Sequence, residues 1–343
     1  MRHLLNTLFV LSQDAYLKLE DENVVVLKED EQVGKYPLRS LETIISFSYR
    51  GASPALMGAC AEGGTNLFFL TPTGKFLAQV CGEMKGNVLL RKEQYRISDS
   101  PQRSCLISRN MIFAKIFNGR WIIQRALRDH ELSVDVQKLR RTSEFLYAHL
   151  DEVRTIDSLD RLRGIEGEAA SCYFGVFDDL ILQNKKDFSY STRSRRPPLD
   201  PVNAALSFSY TLLAGDCAAA LSSVGLDPYI GFLHRDRPGR ASLALDLMEE
   251  LRGVMSDRFV LSLINNRLLT KNSFVKKENG AVFLNDDGKK VVLSQWQERK
   301  KGEITHPYLK EKLPWGLVPY VQALLLARTI RGDLDEYPSL LWK

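Results

Sequence analysis

MIFAKIFNGRWIIQRALR (111–128) sets how the chain is read. Met111, Ile112, Ile116, Trp121, Ile122 and Ala126 recur at helical intervals, so at about 100° per residue they share one face. Arg120, Arg125 and Arg128 fall largely off that face. From about Pro101 onward the same spacing returns, over 130–150, 157–184, 200–223, 242–263 and 317–331. One insertion interrupts it. ENGAVFL (278–284) followed by NDDGKK (285–290) carries NG and DG turn signals and predicts a hairpin before another helix.

Upstream the period changes. Leu8 to Leu11, Tyr16 to Leu19, Val24 to Leu27, Thr43 to Phe47, Asn66 to Leu70 and Phe76 to Val80 are short apolar or alternating runs. Polar turns such as DEN (21–23), EDEQ (29–32) and PTG (72–74) separate them. SPALMGACAEGG (53–64) predicts a short helix, with Ser53 as N-cap, Pro54 at the first helical position and two glycines ending it. The reading is an α+β chain. A small β-rich domain covers 1–85, a linker covers 86–100, and a larger helical domain with a small β-hairpin insertion covers 101–343.

The chain has 343 residues, long enough to bury a core without disulfides or structural metal. Cys60, Cys81, Cys105, Cys172 and Cys217 form no CxxC pair, and read as free thiols in a reducing cytoplasm. The N-terminal MRHLLNTLFVLSQDAY has no small-residue cleavage site. No run approaches 18 apolar residues, so no membrane span is expected. A net charge of +5 fits a polyanionic partner without requiring one. There is no GxxxxGK[ST], GxGxxG, GxSxG or HExxH, which argues against nucleotide hydrolysis, dinucleotide redox, serine-hydrolase and zincin chemistry.

Chemistry concentrates in two segments. In RLRGIEGEAASCYFGVFDDLIL (161–182), a helix starting from Ser158 puts Leu162, Ile165, Ala169, Cys172, Tyr173, Val176, Phe177 and Leu180 on one face. Glu166 lies on that face and Glu168 points away. A carboxylate on an apolar stripe is costly unless it is paired, bound to a metal, or able to reach water from the stripe's edge. In DPYIGFLHRDRPGRASLALDLMEELR (227–252), His234 ends an apolar run and Arg235, Arg237 and Arg240 surround a Pro-Gly turn. Ser242 then reads as the N-cap of a helix with a stripe of Leu243, Leu247, Leu251 and Val254. Asp246, Glu249 and Glu250 flank one side of it and repel one another unless a positive charge intervenes. One histidine with two or three carboxylates is a hard, oxygen-rich set suited to Mg²⁺ or Mn²⁺. A metal so held polarises a phosphodiester for attack by water or by a DNA 3′-hydroxyl.

NKKDFSYSTRSRRPP (184–198) reads as an exposed loop. Lys185, Lys186, Arg193, Arg195 and Arg196, interleaved with Phe188 and Tyr190, suit either a solvated connector or a nucleic-acid contact.

Four segments in order, GIEGEAASCYF (164–174), DPVNAALSFSYTLL (200–213), GLDPYIGFLH (225–234) and SLALDLMEELR (242–252), resemble the CRISPR-associated adaptation integrase family, the Cas-one family. The resemblance covers almost the whole chain. Length and C-terminal extension look most like the branch accompanying type I-C systems. The resemblance implies a divalent-metal site made by Glu166, His234 and an acid on the following helix, with Glu249 as ligand and Asp246 in support. It also implies joining of foreign DNA fragments to a CRISPR repeat by transesterification. The implied assembly is a homodimer, with the β-rich domain as its dimerisation unit, bridged by the small Cas-two protein. Asn203 and Tyr210 match family positions and are expected to be structural.

The readings left open are a non-catalytic, salt-sensitive DNA-binding scaffold and a metal phosphodiesterase acting on small nucleotides. The tail GDLDEYPSLLWK (332–343) is a docking strip or, as favoured, a segment folded back on its own domain.

Overall fold

The computed structural model describes residues 6–71, 76–80 and 88–343. The PTG turn at 72–74 and Cys81 lie outside them. Two compact units result, one within Met1–Gly86 plus Leu293–Gly302, the other Asn87–Val292 plus Glu303–Lys343.

The first unit holds β1 (Asn6–Val10), β2 (Ala15–Glu20), β3 (Asn23–Lys28), β4 (Glu31–Pro37), β5 (Leu41–Ser46), α1 (Pro54–Gly63), β6 (Asn66–Leu70) and β7 (Phe76–Val80). Strands β2, β3 and β4 form an antiparallel meander. Its two turns put Asp21, Glu22, Glu29 and Asp30 at φ of 48°, 59°, 51° and 66°, the left-handed pairing that a tight hairpin requires. The EDEQ turn therefore leads into β4, a strand the sequence reading missed because EQVGKYP exposes its Val33 and Tyr36. Strands β1, β5 and β6 run parallel and β7 pairs antiparallel to β6. Leu17, Val24, Ile44, Leu56 and Leu67 fill the core between these elements. Helix α1 begins as expected, its Ser53 hydroxyl accepting from Leu56 N–H, and ends at left-handed Gly64.

The second unit is built on α2 (Val88–Ser98), α3 (Pro101–Asp129), α4 (Val136–Thr155), α5 (Leu159–Gly175), α6 (Pro201–Ser223), α7 (Ser242–Leu251), a π-helical stretch Arg252–Asp257 and α8 (Arg258–Asn265). After α8 come β8 (Phe274–Lys276), β9 (Val282–Leu284), α9 (Asp286–Lys301), β10 (Glu303–Thr305), β11 (Lys312–Pro314) and α10 (Val318–Arg331). The second half of α9 falls in the first unit. Helix α3 is the axis, with α4, α5 and α7 packed against it. Met111, Ile112, Ile116, Ile122 and Ala126 are buried, as their spacing requires, and Trp121 is half-buried.

Several expectations are corrected. The 86–100 stretch carries helix α2, packed on α3 and α10, and is no bare linker. Helix α5 ends at Gly175, before the expected 184, and a 3₁₀ turn over Phe177–Leu180 follows. The hairpin is β8–β9 with Gly280 at φ 81°, whereas NDDGKK opens α9. There the Asn285 side chain accepts from Gly288 N–H at 2.9 Å. A Cβ at residue 288 would sit 2.2 Å from Ser273 O, so this glycine serves close packing. The small pair β10–β11 had no sequence signal.

Helix α6 lies where its spacing places it and is long and apolar enough to cross a membrane by composition (mean hydropathy 1.3 over its best window). It packs instead among α7, α10 and the π stretch, with Val202, Leu206, Leu213 and Leu221 fully buried. The C-terminal tail folds back. Leu340 and Tyr337 are buried, Trp342 N–H donates to Asn118 Oδ1 at 2.9 Å, and the Trp342 ring packs edge-on to Trp315.

Candidate active site

Three elements converge here. Helix α5 starts at Ser158, whose hydroxyl accepts from Arg161 N–H, and this fixes the phase that turns Glu166 inward and leaves Glu168 exposed. The loop before α7 delivers His234. Helix α7 delivers Asp246 and Glu249.

Asp246 is fully buried and fully engaged. Its Oδ2 accepts from Phe232 N–H (2.6 Å) and Leu233 N–H (3.0 Å). Its Oδ1 accepts from His234 N–H (3.0 Å) and from His234 Nδ1 (2.6 Å). A carboxylate only accepts, so the Nδ1 proton faces Asp246, and in the neutral imidazole Nε2 carries the lone pair. Gly231 makes this loop possible, because a Cβ there would lie 2.7 Å from Ser242 Cβ and 2.9 Å from Asp246 Oδ2. Arg163 Nε and Nη2 hold Leu233 O at 2.9 and 2.7 Å. From α2, Gln94 clasps Asp227 and Ile230 carbonyls (2.7 and 2.9 Å), and Ser98 donates to Gly231 O (2.7 Å). The segment read as a linker therefore positions the histidine.

Glu249 turns toward His234 Nε2, whose distance to Oε1 is 3.8 Å. Its other neighbours are Arg252 (2.7 Å) and Lys115 Nζ (2.8 Å), and Lys115 also pairs with Glu166. Burial works to raise the Glu249 pKa, but Arg252 and Lys115 overcome it and bring it to about 2. Arg252 stacks on the Tyr210 ring, 5.4 Å from its centroid, and Tyr210 OH donates to Asp257 at 2.6 Å.

Glu250 does not join the cluster, contrary to the expectation that all three acids share a side. It faces the tail, accepting from Gln322 Nε2 (3.0 Å), Leu340 N–H (2.7 Å) and Tyr337 OH. Burial pushes its pKa up to about 7. Nor is Ser242 the N-cap. It is the first helical residue, and Pro228 O receives the Leu243 and Ala244 N–H groups instead.

Among the described residues, no three His, Cys, Asp or Glu side chains stand close enough together to ligate an ion as they are. The Lys115 ammonium bridges Glu166 and Glu249, so a cation already stands between those carboxylates. Two carboxylates and an imidazole with its outer nitrogen free form a donor set that fits Mg²⁺ or Mn²⁺.

The cationic candidates divide. Arg193 is structural, its Nη1 bonded to Asn203 Oδ1 and Ser194 O (both 2.6 Å), its Nη2 to Ser207 (3.2 Å). Phe188 and Tyr190 are buried, so they are core rings and not platforms for bases. Lys185 pairs with Asp178 at 2.9 Å. Lys186, Arg195, Arg196, Arg235 and Arg237 are exposed, and Arg240 is half-buried against Ser242. Asn203 is structural too, bonded to Thr192 O and to its cap Asp200.

Lys115 and Arg252 were missed by sequence reasoning, though both left a signal. Lys115 is four residues after Met111 and seven before Ile122, a lysine on the buried stripe of α3. Arg252 lies three residues after Glu249, one helical turn on.

Fold and site together define a two-unit protein whose helical unit carries an acid–imidazole cluster among basic side chains. The family model described as CRISPR associated protein Cas1 matches residues 8–298. A CRISPR-associated endonuclease Cas1 of Rhodospirillum rubrum is 49% identical over the full length of both chains. The chain belongs to the Cas1 family. In structure it is similar to a casposase bound to integration product (TM-score 0.82, 21% identity, covering 97% of this chain and 92% of that one). It is also similar to a chain of a Cas6-RT-Cas1–Cas2 complex (TM-score 0.81, 22% identity, covering 99% and 36%).

Proposed function

We propose that the chain is a divalent-metal-dependent DNA integrase and endonuclease of CRISPR adaptation, inserting foreign DNA fragments into a CRISPR array. The observation that carries this is the meeting of Glu166 and Glu249 on one cation, with the free Nε2 of His234 beside them. Membership of the family whose relatives are named CRISPR-associated endonucleases supports it. In the reaction a DNA 3′-oxygen bonds to a repeat phosphorus while the bond to the departing 3′-oxygen breaks. The attacking hydroxyl gives up its proton and the departing oxygen gains one.

In this reading Glu166, Glu249 and His234 Nε2 hold Mg²⁺ or Mn²⁺. The bound ion would supply Lewis-acid polarisation of the phosphodiester. Asp246 supports the site and does not ligate, since each of its oxygens already accepts two hydrogen bonds from the His234 loop; it fixes the imidazole in the Nδ1–H form. Arg252 balances Glu249. The exposed Lys186, Arg195, Arg196, Arg235 and Arg237 meet DNA phosphates, with Lys185 and Arg240 adding to them. The protein acts as a homodimer through its β-rich unit and works with a Cas2 partner in the cytoplasm, in the type I-C branch.

The test is incubation with a short duplex and a repeat-bearing plasmid, in Mn²⁺ or EDTA, with and without the Cas2 partner. A joined product that depends on metal and is lost in folded Glu166→Ala and His234→Ala supports integration. Salt-sensitive binding that survives EDTA and both substitutions, with no product, sinks it in favour of a scaffold.

A further inference from the structure

Lys115 and Arg252 both place positive charge on Glu249, but in different settings. Arg252 reaches both carboxylate oxygens, at 2.7 and 2.9 Å. Its guanidinium lies on Tyr210, whose hydroxyl is anchored on Asp257. A guanidinium stacked on a ring, with one nitrogen (Nη1) held between both carboxylate oxygens, cannot leave without breaking all of these contacts together. Lys115 rises from the middle of α3 on a four-carbon stem and ends in a compact charge with rotatable donors. It touches Glu249 at 2.8 Å and Glu166, with its side chain 17% exposed.

Beside the stem lies a cavity of about 40 Å³, lined also by Tyr173, Tyr210, Asp257 and the two arginines Arg195 and Arg252. That is room for an ammonium, and the Asp257 carboxylate and two tyrosine hydroxyls are there to receive it. An ammonium and a divalent ion cannot share the same two carboxylate oxygens, because the like charges would stand within a few ångströms in a largely buried site.

We infer that Lys115 is an exchangeable counter-ion, holding Glu166 and Glu249 together until a divalent cation takes their oxygens and the ammonium withdraws into the neighbouring cavity. This rests on the metal site proposed above. It makes Lys115 a positioning residue that competes with the metal, whereas Arg252 is a fixed one that does not.

The test is titration of Mn²⁺ into the metal-free protein without DNA, read by the paramagnetic signal of the free ion and by the Tm. Lys115→Met removes the competitor at similar volume, and Lys115→Gln serves if the first variant folds poorly. Both are expected to bind Mn²⁺ on the order of tenfold more tightly than the wild type, a difference of about 1.4 kcal/mol. Their metal-free Tm is expected to fall, with the gap closing as Mn²⁺ is added. Lys115→Arg keeps the charge and is expected to bind no more tightly than the wild type. Neutral variants that bind Mn²⁺ as the wild type does, or more weakly, overturn the exchange while Mn²⁺ binding lost in Glu166→Ala upholds the metal site. Wild-type and Glu166→Ala proteins that bind alike overturn both.

Discussion

Asp246→Asn perturbs one atom and should cost far more than its size suggests. The carboxylate receives four donors, two on each oxygen. An amide offers one accepting oxygen and one donating nitrogen, so two donors lose their acceptor whichever way it points. In the cheaper arrangement the carbonyl keeps Phe232 and Leu233 N–H, and the NH₂ faces the His234 side. The imidazole then moves its proton to Nε2 so that Nδ1 can accept from the amide, and His234 N–H is left unpaired. One buried orphan N–H costs about 1–3 kcal/mol, and two bonds that lose their charge assistance cost about 1 kcal/mol each, roughly 3–5 kcal/mol in all. That is a large share of a typical folding free energy of about 5–15 kcal/mol. Urea unfolding measures the loss, and nitrogen-15 shifts of the labelled imidazoles, five histidines in the chain, report the tautomer. Strand joining should vanish in the folded variant, because a protonated Nε2 can neither ligate nor accept. A stability loss under about 1 kcal/mol with the proton still on Nδ1 refutes this reasoning.

Other consequences follow from the same geometry. Gly231→Ala forces a Cβ against Ser242 and Asp246, so urea unfolding should show about 1–3 kcal/mol of destabilisation together with lost strand joining. Burial raises the folded pKa of Glu250 to about 7 from an ordinary carboxyl value of 4.5. Its stabilising contribution is therefore fully present below about pH 4.5 and is lost as pH rises through about 7. In Glu250→Gln this component of a pH-dependent unfolding series should disappear. Arg193→Ala should lower stability through its lost bonds to Asn203 and Ser207. Arg196→Ala, by contrast, should leave stability within about 0.5 kcal/mol and reduce the salt slope of DNA binding by about 1.

Much of the fold was legible because periodicity is a local property. The α3 stripe, the Ser53 cap, the helix start at Ser158 and all six strand runs needed only neighbouring residues to be read. Strand β4 escaped because a strand that exposes its apolar side chains shows no alternation. The DG of NDDGKK misled because Gly288 answers to a backbone approaching from Ser273, fifteen residues earlier, and not to a turn. Helix α2 escaped for a related reason. Its Gln94 and Ser98 bond to carbonyls more than 130 residues away, and no local pattern announces such partners.

At the site, helical phase alone separated Glu166 from Glu168, and the resemblance singled out His234 and the acids after it. What the sequence by itself determined was which residues carry the charge and which side of each helix they take. Only the tertiary structure decided how the three adjacent acids divide. Asp246 spends every lone pair on the His234 loop, Glu250 turns to the tail, and Glu249 meets Glu166 across Lys115. The division depends on what packs against α7 from three directions. Coulomb attraction and hydrogen bonding act through space, between residues that the chain itself places on separate elements.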